Sequence, residues 1–212
     1  MNSSKFESLT GRTDRRFPEY DDPPAEPLGL VRDWLAEAVE QGVREPRALA
    51  LATADKRGRA STRVVVFGGI DDQGLLFTTH STSRKSRDIQ ETGWASGLLY
   101  WRETSQQISI GGPAVPIGEA EADALWHARP VPLHAMSAAS QQSEPLTDPD
   151  ALRAAAESLA ATGAALARPA RFTGYRLVPH EVEFWSARSD RMHHRLRYER
   201  DGADWHVTRL QP

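Results

Sequence analysis

No cysteine occurs among the 212 residues. That absence excludes disulfides, a thiolate nucleophile and cysteine-ligated zinc or iron–sulfur centres. No apolar stretch is long enough to span a bilayer, and residues 1–15 are polar rather than signal-like, so a soluble cytoplasmic protein is the expectation. Excess charge of one sign is missing too: 26 Lys and Arg stand against 29 Asp and Glu, a net charge of -3. Such a balance argues against a broad nucleic-acid or membrane surface. No G-x-G-x-x-G follows a strand, and no G-x-x-x-x-G-K-[ST] occurs, so a Rossmann or P-loop enzyme is not expected. The seven histidines are scattered without an H-x-x-x-H pair, and no G-x-S-x-G elbow is present, which leaves neither a His-based metal site nor a marked serine nucleophile. The side chains offer little redox or nucleophilic chemistry of their own. If the chain is an enzyme, a cofactor carries the hard step.

What is present reads as one domain over residues 25–212, preceded by a polar, flexible arm over residues 1–24. Pro27 opens a helix whose apolar face is Leu28, Val31, Leu35, Ala38 and Val39, and Gly42 suits its stop. Short strands follow at Ala48–Thr53, Ser61–Phe67, Leu75–Thr79, Trp94–Trp101 and Gln106–Val115. Arg84–Glu91 and Gly118–His127 read as helices, and residues 129–144 lack periodicity. Thr147 is expected to cap a helix from Pro149 to about Thr162. From Thr173 the chain returns to strands, including Val182–Trp185 and a hairpin closed around Asp201-Gly202. Many short strands with turn signals and a few helices make a mainly β (α+β) protein, a closed or nearly closed antiparallel barrel.

Three stretches carry chemistry. In the first, Arg63-Val-Val-Val-Phe leads through a turn to Leu75-Leu-Phe-Thr-Thr and then to Ser81-Thr-Ser-Arg-Lys-Ser. A helix start attracts anions, and here Arg84 and Lys85 add charge while Thr78, Thr79 and Ser83 add neutral donors. Arg63 is a third cation for the same terminal phosphate; the alternative is a solvated helix cap beside an ordinary hairpin. In the second, Gln106 and Gln107 stand where a hairpin loop becomes a strand, and an amide there fits a heterocycle edge or simply faces solvent. In the third, Phe184-Trp-Ser-Ala-Arg-Ser-Asp-Arg-Met-His-His-Arg sets Trp185 beside arginines and histidines. Arg191, His193 and Arg195 share parity, so an extended segment turns them to one side. An aromatic next to fixed cations suits a planar ring system that gains negative charge on reduction, or else a basic edge strand protected from aggregation.

Taken with Arg129-Pro130, Ser140-Gln-Gln-Ser and Arg209-Leu-Gln-Pro, these stretches resemble the pyridoxamine 5′-phosphate oxidase family of flavin enzymes, from about Pro27 to Pro212. The resemblance implies an FMN-binding split β-barrel with peripheral helices, a homodimer with FMN at the subunit interface, and no resident metal. By matching position it assigns Arg63, Val64, Val65, Val66, Thr78, Thr79, Ser83, Arg84, Lys85, Gln107, Gln142, Ser143, Trp185 and Arg195 to FMN. It sets Arg191 and His193 facing the substrate, as the residues closest to catalysis. Four positions that hold a substrate phosphate in the family are here Gly68 for a Lys, Leu125 for a Tyr, Leu133 for a Ser, and a retained Arg129. Each lost bond to a charged group removes roughly 1.5–3 kcal/mol, so a phosphorylated vitamer is a poor fit. The profile looks like the flavin oxidases of phenazine biosynthesis. It implies an oxidase that aromatises a reduced tricyclic phenazine carboxylic acid, with O2 reoxidising the flavin to hydrogen peroxide. Alternatives are a pyridoxamine or pyridoxine 5′-phosphate oxidase, or a non-catalytic flavin-binding split-barrel protein.

Overall fold

The computed structural model describes residues 10–161 and 163–212. In chain order the strands are β1 (Ala48–Ala54), β2 (Ala60–Asp71), β3 (Gly74–His80), β4 (Trp94–Trp101), β5 (Gln106–Pro116), β6 (Phe172–Leu177), β7 (Glu181–Ser186), β8 (His194–Asp201) and β9 (Asp204–Arg209). The helices are α1 (Pro27–Glu40), α2 (Arg84–Thr92), α3 (Glu119–Ala128), α4 (His134–Ala139) and α5 (Pro149–Ala160). Neighbouring strands run β4-β1-β2-β3-β6-β5, and a further β4–β5 pairing closes these six into a barrel. Beyond β5 the sheet continues as β7-β8-β9. The protein is therefore mainly β, as the strand spacing implies.

The barrel splits along one edge of β5. Ala114–Pro116 pair with β6, whereas Gln106–Gly111 pair with β7. Val178 and His180, between those two strands, still donate to the carbonyls of Pro113 and Gly111. Gly112 faces this kink, where a Cβ would lie 1.9 Å from the Val178 carbonyl oxygen. Only glycine admits that approach.

Alternation along the strands fills the barrel. Leu49 and Leu51, Phe67, Leu75 and Phe77, Leu99 and Trp101, Ile108 and Ile110, and Phe184 are all buried. Trp34 of α1 packs edge-on against Phe184, with ring centroids 5.2 Å apart. The inward face of α1 is Leu30, Val31, Trp34, Leu35 and Ala38; Val39, expected there, is 55% exposed. The helical period favours that outcome, because Leu30, Trp34 and Ala38 follow one another at i, i+4.

Other boundaries also move. Asp148, not Thr147, caps α5 by accepting the Ala151 N–H at 2.9 Å, and Pro149 sits at its first position. Thr162, the expected end of that helix, lies outside the described residues. The aperiodic stretch after Pro130 contains the six-residue α4. Of the N-terminal arm, residues 1–9 lie outside the described residues, while Arg12 to Asp21 are held against α1, β8, β9 and the loops after β4 and β7. Phe17 is 5% exposed and packs on Trp34 at 4.8 Å. Tyr20 stacks on His194 at 4.1 Å. Two aromatics in a polar segment are enough to bind it to a core that they help to cover.

Candidate functional site

The cation-rich helix start forms a cradle. β3 delivers Thr79 and His80 to its end, both buried, and Ser83 then caps α2 by accepting the Ser86 N–H. Gln142 and Ser143 return from a loop far along the chain. Ser143 Oγ accepts the Arg84 N–H at 3.0 Å. Lys85 Nζ lies 2.9 Å from Thr79 Oγ1, 3.2 Å from Gln142 Oε1 and 3.3 Å from Ser83 Oγ. Those partners are all neutral. Burial, and then the neighbouring Arg63 charge, lower the Lys85 pKa to about 8. Arg63, from β2, donates to Thr53 Oγ1 and Ser61 Oγ at 2.8 Å each and stands 4.0 Å from Asp88. Burial also lowers the Arg63 pKa, Asp88 raises it, and Arg84 lowers it again.

A desolvated lysine whose contacts are hydroxyl and amide oxygens is a cation short of an anion. With Arg63 and Arg84 nearby, the donor set fits a terminal phosphate dianion. Sequence reasoning had no signal for three residues that build this cradle. Asp88 accepts from Thr53 Oγ1 at 2.6 Å. His80 Nδ1 receives the Gln142 N–H at 3.5 Å, and its pKa falls to about 4 because it is buried beside Arg171, Lys85 and Arg129. Arg171 holds the loop before Gln142 through the carbonyls of Ser140 and Ala138.

Of the remaining β2 and β3 positions, Val65 packs against the core, while Val64 and Val66 are 66% and 71% exposed. Alternation sets Thr78 on the face of β3 opposite to Thr79. Val64 and Val66 pair with Ala50 and Ala48 of β1, and β1 pairs in turn with β4, where Trp94 and Tyr100 are exposed. The result is a broad apolar outer face.

That face continues into the second group of residues. Tyr100, Gln107, Trp185 and Arg195 are successive cross-strand partners on β4, β5, β7 and β8, so their side chains share one side of the sheet. Arg195 Nε donates to Glu183 Oε1 at 2.7 Å and its Nη1 to the Gln211 carbonyl at 3.0 Å. Glu183 therefore partly balances this cation and raises its pKa.

The parity argument for Arg191 does not hold. The chain turns at residues 188–192: Arg191 has φ +68, its N–H reaches the Arg188 carbonyl at 3.1 Å, and Asp190 Oδ1 accepts the Met192 N–H at 3.0 Å. His193 lies 4.8 Å from the Trp185 ring, and its Nδ1 accepts the Arg188 N–H at 3.0 Å. Since Nδ1 is an acceptor, the neutral ring carries its proton on Nε2. Burial and Arg191 lower the His193 pKa, against an opposing pull from Asp190.

Arg129 follows α3. Its guanidinium lies over Trp126 and Phe172, at 5.9 and 5.4 Å, and one nitrogen reaches Ser137 Oγ at 3.3 Å. Its Nε is buried and finds no hydrogen-bond partner among the described residues, and burial lowers its pKa. Leu125 is half-buried on α3, Leu133 is 51% exposed just before α4, and Gly68 lies at the bulge in β2, its carbonyl bound by Arg47. A separate groove of about 930 Å³ lies between α1 and the β9 end, beside Trp205, but Arg32 and Arg176 in it are paired with Asp72, Asp71 and Glu121. Arg200, which also lines the groove, lies over the Trp205 ring at 5.0 Å; the cradle, where a buried lysine meets neutral oxygens, is the stronger candidate for an anion.

Comparisons with known proteins cover almost the whole chain. A family described as pyridoxamine 5′-phosphate oxidase matches residues 35–163, and one described as the pyridoxine 5′-phosphate oxidase C-terminal dimerisation region matches residues 172–212. A dihydrophenazinedicarboxylate synthase of Burkholderia lata is 65% identical over 212 residues, all of both chains. One of Pseudomonas chlororaphis is 51% identical, covering 100% of this chain and 96% of its own. A pyridoxine/pyridoxamine 5′-phosphate oxidase of Paraburkholderia phymatum is 38% identical, covering 92% of each. The crystal structure of PhzG from Burkholderia lata in complex with tetrahydrophenazine-1-carboxylic acid superposes with a TM-score of 0.94 at 64% identity, over 95% of this chain and 100% of that one.

Proposed function

The chain belongs to the pyridoxamine 5′-phosphate oxidase family, and from that premise we propose that it is an FMN-dependent oxidase that aromatises a reduced phenazine carboxylic acid and works as a homodimer. One observation carries the reading: Lys85 is buried among the neutral oxygens of Thr79, Ser83 and Gln142, a cradle that fits one phosphate, while by the resemblance Gly68, Leu125 and Leu133 stand where a second, substrate phosphate needs polar partners. Likeness to two dihydrophenazinedicarboxylate synthases over the whole chain supports a phenazine-pathway substrate. The exposed apolar face through Val64, Val66 and Tyr100, and the dimerisation region over residues 172–212, support the homodimer.

When bound, FMN supplies two-electron oxidation of the substrate ring, with dioxygen as terminal acceptor and hydrogen peroxide as product. The protein supplies position and charge. Lys85, Arg63 and Arg84 take the FMN phosphate, with Thr79, Ser83, Gln142 and Ser143 filling its remaining hydrogen bonds. Gln107, Trp185 and Arg195, successive cross-strand partners, would hold the ring system, Gln107 with an amide and Arg195 with a cation. A second copy, docked through the apolar face of Val64, Val66 and Tyr100, would bring its own row to the cradle of the first. Arg129 and Arg191 face substrate carboxylates. His193 presents Nε2–H as a hydrogen-bond donor, which makes it an orienting group rather than a base in its neutral form.

Oxygen uptake tests the substrate. With the FMN-loaded protein, a reduced phenazine carboxylic acid is expected to exceed pyridoxamine 5′-phosphate by at least ~100-fold in kcat/KM, the size of two or more lost charge-assisted bonds. Comparable turnover of pyridoxamine 5′-phosphate contradicts the reading, and no uptake with either compound favours a non-catalytic flavin protein.

A further inference from the structure

Asp14 sits in a segment with no part in the chemistry so far described, yet it touches the turn that carries His193. The segment is firmly seated. Arg12 N–H reaches the Glu103 carbonyl at 3.0 Å, and a Cβ on Gly11 would lie 1.8 Å from the Arg102 carbonyl oxygen. Arg15 pairs with Glu37 of α1. Asp14 itself has φ +57, a left-handed conformation that Asp and Asn tolerate better than most residues. Its backbone N–H meets the Ala187 carbonyl at 3.0 Å. Its Oδ1 accepts the Ser189 N–H at 3.1 Å and stands 3.4 Å from the Arg188 guanidinium. One residue therefore grips 187, 188 and 189 together. The next link is the Arg188 N–H, which points at His193 Nδ1 at 3.0 Å.

We propose that Asp14 is a positioning residue: by fixing the Arg188–Ser189 turn it keeps the Arg188 N–H on His193 Nδ1, and so holds the imidazole as an Nε2–H donor for a substrate carboxylate. The inference rests on the reading of His193 as substrate-facing. It adds that the described part of the N-terminal segment sets substrate affinity without touching the substrate. The charged groups bearing on His193 are Arg191 and Asp190, both in the same turn, so the turn's geometry also sets the field at the ring. A hydrogen bond donated to one ring nitrogen decides the tautomer, as in many orienting histidines. Loss of a bond to a charged substrate group shows as a rise in KM when it is made equally in ground and transition states.

The test compares the FMN-loaded wild type with Asp14→Asn and Asp14→Gly. Asn keeps an acceptor for the Ser189 N–H and tolerates the backbone angle. Gly relieves the angle and removes the carboxylate, which separates strain from contact. Imidazole ¹⁵N NMR of the wild type is expected to show His193 Nδ1 unprotonated and Nε2 protonated. That readout needs no variant and no turnover, and an Nδ1-protonated ring overturns the proposal. Asp14→Gly is expected to give mixed tautomers and a roughly tenfold higher KM for the reduced phenazine carboxylic acid, with kcat within about twofold. Asp14→Asn is expected to stay near wild type. A wild-type tautomer and KM in Asp14→Gly overturn the proposal, as does a changed tautomer with an unchanged KM. If the tautomer shifts in Asp14→Gly but the wild type oxidises no phenazine precursor, the coupling of Asp14 to His193 stands and the proposed reaction falls.

Discussion

Replacing Lys85 with Met is expected to weaken FMN binding about 10- to 100-fold, the effect of removing a charge-assisted bond to phosphate worth roughly 1.5–3 kcal/mol. Methionine keeps most of the stem's packing, so the melting temperature of the FMN-free protein should hold or rise. The reason lies in the sign of the lysine's own shift. Its pKa of about 8 is below the ordinary lysine value because burial and Arg63 disfavour its charge. Below pH 8 the folded FMN-free protein carries that penalty in full. The penalty fades between pH 8 and the ordinary lysine pKa of about 10.4. A bound phosphate dianion reverses the balance by favouring the charged form. FMN affinity of the wild type should therefore be flat between about pH 7 and pH 8, where the phosphate is a dianion, and fall as pH rises further, whereas Lys85→Met should lack that step. Calorimetric titration at pH 7 and pH 9.5 checks both statements. A Met variant that binds FMN as tightly as wild type, with the same pH profile, removes Lys85 from the phosphate site.

Val66→Glu is the second large effect. In one chain Val66 is 71% exposed and its neighbour Val64 is 66% exposed, so a carboxylate there costs the isolated fold little. Across an apolar interface the same carboxylate is buried without a partner, which costs several kcal/mol per site and is met twice in a two-fold dimer. The variant is expected to sediment as a monomer, to keep a wild-type far-UV spectrum, and to be purified without yellow colour, both because its two half-sites no longer meet and because the resemblance sets Val66 itself beside FMN. A yellow dimer of Val66→Glu places the interface elsewhere.

The amino-acid sequence disclosed most strands because each carries its own period and turn: Asp201-Gly202 closes β8 onto β9 with Gly202 at φ +60, and β4 runs from Trp94 to Trp101 as the pattern predicts. Barrel closure was legible as a class and likeness to a family pointed to a split barrel, but the place of the split at Gly112 was not legible, since it depends on a carbonyl 66 residues away. Helix α4 escaped because six residues after two prolines give too little period to read. The arm misled because mean polarity hides single aromatics such as Phe17. At the site, Thr79, Ser83, Arg84 and Lys85 were legible as a local motif. Gln142 joins Lys85 from 57 residues away, and only likeness to a family pointed to it. Parity failed at Arg191 for a physical reason: a left-handed residue and the Asp190–Met192 contact break the extended path that parity assumes.

Paired titrations of the FMN-free protein, one with FMN and one with riboflavin, bear most directly on the cradle around Lys85. The two ligands share the ring system and differ by the phosphate alone. FMN is expected to bind at least ~100-fold more tightly, the difference that two or more charge-assisted bonds make. Equal dissociation constants for the two ligands, or no binding of FMN at all, contradict the account.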